Sequence, residues 1–422
     1  MHSVTNAIPS GTIASIPAKA HAHRALICAA LANSPSTILL SRTSKDIDAT
    51  MDSLRGLGAH VVYENKVVTV TPESVPAKGN VVPHESGTTL RLLLPVAASI
   101  CNDVDVDAKG RLPDRPLEPM LGEMKAHGVT FSQDKPPFTM TGRLQGGQFS
   151  MVGDVSSQFF SGLLLAAPQI GLSTITSTTP LQSSDYVTLT TETMRDFGVE
   201  VEHTLPDTDI NEAFTVPFGA SFIGRDNYQI EGDWSNAAIW MVADGMTGKP
   251  ITITGMNKNS VQADRRIMQV MIDAGCDVAW DGMNVTVTGR ASKPIHADLE
   301  QMPDMLPVMA ALACSISGES SFIKGARLRL KESDRLVAVA NLVRDLGGTV
   351  REEGDDLYII GSGILKGGHG DCVNDHRLVM AGTLMALISE NPITLKDSEA
   401  ITKSYPHFFE DWNLLGGHAQ PV

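Results

Sequence analysis

One short pattern recurs along the whole chain: the last turn of a helix, a glycine, then a strand-like segment. The glycines are Gly58, Gly128, Gly198, Gly275, Gly347 and Gly416, spaced 70, 70, 77, 72 and 69 residues apart. Glycine just beyond a helix adopts the left-handed conformation that stops it. An apolar or β-branched residue three positions later, such as Val61, Phe131, Val201, Val278 or Val350, opens a strand. Six unrelated helix stops would not keep so even a spacing. Earlier in each repeat lies a helix apolar on nearly all sides, at 24–31, 88–100, 158–170, 236–246, 304–316 and 376–388. Such a helix is buried. Each repeat therefore reads as strand, buried helix, strand, amphipathic helix, strand. A chain of 422 residues exceeds one ordinary core, so six repeats divide into two lobes of three.

The unusual residues gather where the buried helices begin. They are Lys19 and Arg24; Ser86, Thr88 and Arg91; Ser156, Ser157 and Gln158; Asp233, Ser235 and Asn236; Asp304; and Asp375, His376 and Arg377. If the helices of a lobe run parallel, these ends meet on one surface, where free backbone N–H groups need partners. The densest cluster is Arg327-Leu328-Arg329-Leu330-Lys331-Glu332-Ser333-Asp334-Arg335, directly before a helical pattern from Leu336 to Leu346. Cations beside a helix N-terminus make an anion site. The plainer alternatives stay open at this point. The cluster could be a solvated helix start with local ion pairs, Asp304 and Ser156-Ser157 could be simple caps, and Gly87 could be mere packing rather than a close approach to a ligand.

The formal net charge of −15 argues against non-specific nucleic-acid binding and makes any anion site a local basic pocket. The five cysteines lie far apart with no CxxC pair, which suits buried reduced thiols. No basic segment precedes an apolar run at the N-terminus, and no uncharged apolar stretch reaches membrane-spanning length. His21 and His23 have ligand-like spacing but no accompanying cysteine or carboxylate set, so no metal site is expected.

Taken in order, these motifs resemble the enolpyruvyl transferase family, in its branch acting on shikimate 3-phosphate. The matching segments are Pro17-Ala18-Lys19 with His23-Arg24, Ser86-Gly87-Thr88 with Arg91, and Arg111 to Pro116. They continue with Ser156 to Phe159, Pro303-Asp304, Lys331 to Arg335, Asn374 to Arg377, and Thr402 to Pro406. The resemblance implies an α/β fold of two inside-out barrels, each of three βαβαββ units with parallel buried helices. The implied lobes are 16–230 and 1–15 with 231–422, hinged near 16–17 and 231–232 and closing on substrate. It implies shikimate 3-phosphate and phosphoenolpyruvate as substrates, with no cofactor and no metal.

By the same resemblance, Asp304 is the general base, Glu332 the general acid, and Lys19 touches both substrates. Shikimate 3-phosphate falls to Lys19, Arg24, Ser156, Ser157, Gln158, Ser183, Tyr186, Asp304, Arg327 and Lys331. Phosphoenolpyruvate falls to Lys19, Gly87, Arg115, Gln158, Arg335, Arg377 and Lys403. Two lobes that already bury a large core make a cytoplasmic monomer the expectation, one that neither nucleic acid nor membrane engages; Gly87 and Thr88, by the resemblance, imply glyphosate sensitivity.

Five positions depart from the family pattern. Ala20 replaces a hydroxyl residue, which His21 or His23 would have to replace as a donor; Glu85 and Arg327 each stand in place of asparagine; and Ser184-Asp185 replaces Lys-Pro. The rival branch, acting on UDP-N-acetylglucosamine, carries a reactive cysteine in a loop that here has none between Ala108 and Leu117. A catalytically weak anion-binding relative is the other alternative; joint retention of Lys19, Asp304, Glu332 and Arg335 speaks against it.

Overall fold

The computed structural model describes residues 1–208 and 211–422. The chain forms two compact units, Pro17–Ile230 (unit I) and Met1–Ile16 with Glu231–Val422 (unit II). Unit I contains α1 (Lys19–Ala30), α2 (Lys45–Gly56), α3 (Gly87–Ile100), α4 (Met120–Ala126), α5 (Ser157–Ile170) and α6 (Asp185–Asp196). Unit II contains α7 (Trp234–Thr247), α8 (Ile267–Asp273), α9 (Leu306–Ser315), α10 (Arg335–Asp345), α11 (His376–Met385) and α12 (Phe408–Leu414).

The odd-numbered helices are the buried ones. Every residue of α9 is buried, and in α3 only Thr88 and Ile100 are not. The even-numbered helices follow, and each is stopped by its repeat glycine at φ between 87° and 100°. Of these buried helices only α11 starts where the sequence reading put it, and two of the shifts bear on Lys19 and Asp304. The first helix begins at Lys19 rather than Arg24, which puts Lys19 in its first turn. Residues Pro303–Met305 form a separate 3-10 turn ahead of α9, so Asp304 stands outside the α-helix.

Among the described residues there are six four-stranded sheets. In the simplest, Gly79–Val81 runs through α3 into a parallel Asp103–Val106; Phe138–Thr141 pairs antiparallel with that strand and with Thr130–Phe131. Three sheets are continuous in sequence in this way. The other three borrow a distant strand. Tyr228–Gln229 completes the sheet of Ser36–Leu39, Gly11–Ala14 pairs with Ile251–Thr254, and His2–Thr5 lies between Ile393–Lys396 and His418–Pro421. Alternation then buries one face of each strand, as in Val67–Thr71, where Val68 and Val70 are the buried residues. Helices inside and sheets outside is the inside-out α/β fold expected from the resemblance.

Close helix packing brings the helix starts together. A Cβ at Gly162 of α5 would lie 2.5 Å from the Arg91 carbonyl oxygen of α3, so only glycine lets these two helices approach as they do. All five cysteines are buried and free of disulfides. Among the described residues, no helix is long and apolar enough to cross a membrane.

Candidate active site

In unit I, side chains at the starts of α1, α2, α3 and α5 bond to one another. Ser86 caps α3 by accepting from the Thr89 N–H at 3.2 Å, and Ser156 caps α5 by accepting from the Gln158 N–H at 3.3 Å. The capping reading of Ser156 is therefore correct as far as its hydroxyl goes. Gln158 of α5 donates through Nε2 to Thr88 at 2.9 Å and accepts from Arg91 at 3.1 Å, tying α5 to α3. His23 Nδ1 bonds Thr50 at 2.7 Å, Thr50 bonds Thr89 at 2.7 Å, and Thr89 donates to Ser86 at 2.8 Å. His21 bonds Tyr228 at 2.8 Å. Both histidine rings thus bond protein hydroxyls.

Lys19 donates to Asp46 at 2.7 Å, with both side chains less than one-fifth exposed. Asp46 did not emerge from the sequence reading. Its signal was available, because Ser44 followed by acidic residues marks a helix N-terminus, and Ser44 does cap α2. Gly87 is the first residue of α3, and a Cβ there would sit 2.5 Å from Arg115 Nη1. The close neighbour that glycine permits is therefore the Arg115 guanidinium. Glu85 turns toward the next loop, with Oε2 2.8 Å from where a Gly110 Cβ would be.

Arg24 departs from the role of a surface cation. Its side chain is 1% exposed. It donates to Thr190 at 2.7 Å, the Ala20 carbonyl at 2.7 Å, Ser161 at 3.3 Å and the Tyr186 carbonyl at 2.9 Å. These bonds fasten α1 to α5 and α6. Burial without a carboxylate partner lowers its pKa to about 10. Ser157 and Ser183 are also buried, and Ser183 (φ 54°) precedes α6, which carries Tyr186.

In unit II the carboxylates and cations form one cluster. Asp304 lies in the 3-10 turn Pro303–Met305 ahead of α9. Its Oδ1 lies 2.8 Å from Arg335 Nη1 and 3.0 Å from Lys331 Nζ, and its Oδ2 lies 3.5 Å from Arg377. Arg335 reaches Glu332 at 2.7 Å and Asp375 at 2.9 Å. Lys403 donates to the Asn374 carbonyl at 2.8 Å. Arg327 sits in the 3-10 turn Ala326–Leu330 just before Lys331, while Arg329 is spent on Asp334 and Asp355. Local ion pairs at this helix start do form, between Arg329 and Asp334 and between Arg335 and Glu332.

The electrostatics follow from this crowding. Burial favours a neutral Asp304, but Lys331, Arg377 and Arg335 together outweigh it and hold its carboxyl well below the usual carboxylate range. Burial, helped by Arg327 and Arg335, lowers the Lys331 pKa against the pull of Asp304. Burial also pushes Asp264 up to about 6, partly offset by Arg377. Asp264 bonds the Ser235 hydroxyl under the start of α7 and was not singled out in the sequence.

Two compact units built on buried helices, with cations and paired carboxylates at the helix starts, define an α/β enzyme for anionic substrates. The model of the family described as EPSP synthase (3-phosphoshikimate 1-carboxyvinyltransferase) matches residues 7–412. A relative from Clostridium kluyveri named 3-phosphoshikimate 1-carboxyvinyltransferase is 36% identical over 95% of this chain and 94% of its own. One of the same name from Methanocorpusculum labreanum is 34% identical over 96% of each. The solved structure of EPSP synthase from Acinetobacter baumannii superposes with a TM-score of 0.80 at 22% identity, covering 99% of both chains. The chain belongs to the EPSP synthase family, a family of transferases.

Proposed function

We propose that this protein transfers the enolpyruvyl group of phosphoenolpyruvate to a ring hydroxyl of shikimate 3-phosphate and releases phosphate, within aromatic amino-acid biosynthesis. The observation that carries the reading is the joint hold of Asp304 and Glu332 on the buried Arg335, at 2.8 and 2.7 Å, with Lys331 and Arg377 beside them. A protein that only bound anions would gain nothing from two carboxylates there, because each repels the ligand.

The residues divide the work. Glu332 protonates the methylene carbon of phosphoenolpyruvate, which leaves an oxocarbenium-like centre at C2. Asp304 takes the proton of the ring hydroxyl, whose oxygen bonds to C2. The adduct then loses a methyl proton back to the Glu332 carboxylate, the C2–O bond to phosphate breaks, and the enol ether double bond reforms. Arg335, Arg377, Lys403, Arg115, Gln158 and Gly87 hold phosphoenolpyruvate. Arg24, Ser156, Ser157, Gln158, Ser183, Tyr186, Arg327 and Lys331 hold shikimate 3-phosphate, and Lys19 touches both. Cations set in place before reaction stabilise the charge that develops on the departing phosphate.

Substrate binding also tunes the two carboxylates. Without it, Glu332 is paired with Arg335 and Asp304 faces three cations. An anion that takes over these cations leaves both carboxylates more basic. Glu332 can then carry a proton, and Asp304 can accept one. Acid–base transfer and cation placement complete the reaction, so no cofactor takes part. We place the enzyme in the cytoplasm as a monomer, each unit having its own hydrophobic core. We also take glyphosate to inhibit it.

Phosphate release from shikimate 3-phosphate and phosphoenolpyruvate, measured for wild type and Glu332→Gln together, tests the reading. The amide keeps the size of Glu332 but cannot deliver its proton, so release falls by at least ~100-fold. A folded wild type that releases no phosphate would discard the proposal in favour of an anion-binding relative. Equal rates would remove Glu332 from the chemistry.

A further inference from the structure

One tight turn ahead of α11 meets three of the cations assigned above to phosphoenolpyruvate. Asp375 is fully buried. Its Oδ2 accepts from Arg335 Nε at 2.9 Å and from the Ser333 hydroxyl at 3.1 Å. Its Oδ1 accepts from Arg335 Nη2 at 3.2 Å and from the Arg377 backbone N–H at 3.0 Å, which caps α11. The preceding residue, Asn374, gives its carbonyl to Lys403 at 2.8 Å. One carboxylate and one carbonyl, adjacent in sequence, therefore fix the Arg335 guanidinium, the backbone origin of Arg377 and the Lys403 ammonium.

The backbone of this turn is itself unusual. Val373 and Asn374 both have positive φ, 41° and 56°. Asparagine tolerates that region, but a β-branched valine there is an outlier. Strain of this kind persists only where the surroundings enforce it. Here they do so through Asp371, which accepts the Val373 N–H at 2.9 Å, and through the Asp375 N–H, which donates to the Cys372 carbonyl at 2.7 Å. Helix capping alone needs neither the strained valine nor the second oxygen of Asp375.

We propose that the Val373–Asn374–Asp375 turn is a positioning element that sets Arg335, Arg377 and Lys403 in register for the carboxylate and phosphate of phosphoenolpyruvate. Asp375 touches no substrate; it acts through the two arginines. The inference rests on the enolpyruvyl transfer reading for the identity of the anion.

Two variants test it. Asp375→Asn keeps the shape and the cap acceptor but removes the charge that orients Arg335. It raises KM for phosphoenolpyruvate about tenfold or more, ~1.4 kcal/mol or more, and leaves KM for shikimate 3-phosphate within about twofold. Val373→Gly releases the strain without touching any cation. Its Tm stays level or rises, while KM for phosphoenolpyruvate still increases. Titration calorimetry with phosphoenolpyruvate alone gives a second readout that needs no turnover. Unchanged KM and binding in a folded Asp375→Asn protein, or equal rises for both substrates, overturn the positioning role and leave the function standing. A wild type that binds phosphoenolpyruvate without turnover, and loses that binding in Asp375→Asn, keeps the positioning role and removes the function. A wild type that neither turns over nor binds overturns both.

Discussion

Replacing Gly87 by alanine should impair phosphoenolpyruvate binding and spare the fold. The added methyl would lie 2.5 Å from Arg115 Nη1, 2.9 Å from its Cζ and 3.2 Å from Nη2. Carbon and nitrogen in ordinary contact sit about 3.5 Å apart, so the guanidinium must retreat by about 1 Å. The obstructing group is the end of a flexible side chain, and alanine is about 1 kcal/mol better than glycine within a helix. Stability should hold. A shift of about 1 Å in a substrate-positioning arginine can cost up to ~100-fold. The expected result is a ~10- to 100-fold rise in KM for phosphoenolpyruvate, with KM for shikimate 3-phosphate and Tm near wild type. Phosphate release at varied concentration of each substrate reads both constants. An unchanged KM for phosphoenolpyruvate would mean that Arg115 does not hold that substrate from this position. Equal rises in both constants would mean that the methyl disturbs the start of α3 as a whole.

The protein should also carry a pH-dependent liability in the core of unit II. Asp244 is fully buried and accepts the Ile251 N–H at 3.0 Å; burial nevertheless pushes its pKa up to about 7. A carboxyl raised on folding binds its proton more tightly in the native state, so its contribution is full below the ordinary carboxylate range and is lost as pH rises toward 7. The slope is at most about 1.4 kcal/mol per pH unit. Asp244→Asn should flatten Tm between about pH 4 and 7, a span of about three units, and raise it at the upper end; a wild-type Tm already flat there would refute this. Asp304 has the opposite sign. Its depressed pKa contributes stability at neutral pH that disappears as pH falls below the ordinary carboxylate range. Arg24→Ala strips Thr190, Ser161 and the Tyr186 carbonyl of a buried donor, and should cost about 3 kcal/mol. Urea unfolding should show that loss, whereas a purely substrate-binding role would leave the midpoint unmoved.

Much of this was legible in the sequence because it is local. The six glycines mark helix ends whatever the rest of the chain does, and all six take up left-handed φ. A helix apolar all round has nowhere to go but inside. A run such as Lys331-Glu332-Ser333-Asp334-Arg335 is too highly charged for an apolar core. The order of the motifs named the family and its chemistry.

Partners across long sequence distances were not legible, because nothing local encodes them. The repeat gave no sign that His2–Thr5 and Gly11–Ala14 complete sheets of unit II, or that Tyr228–Gln229 completes the first sheet of unit I. Composition could not separate Arg24, turned inward onto Thr190, from Arg377, whose guanidinium faces Asp304. Nor could it pair Lys19 with Asp46, or give Arg335 three carboxylates at once. Helix and strand formation depends on propensities and periods that neighbouring residues carry. The charge state and direction of a buried side chain depend on which distant groups the packed helices bring within about 4 Å, where Coulomb and hydrogen-bond energies become large.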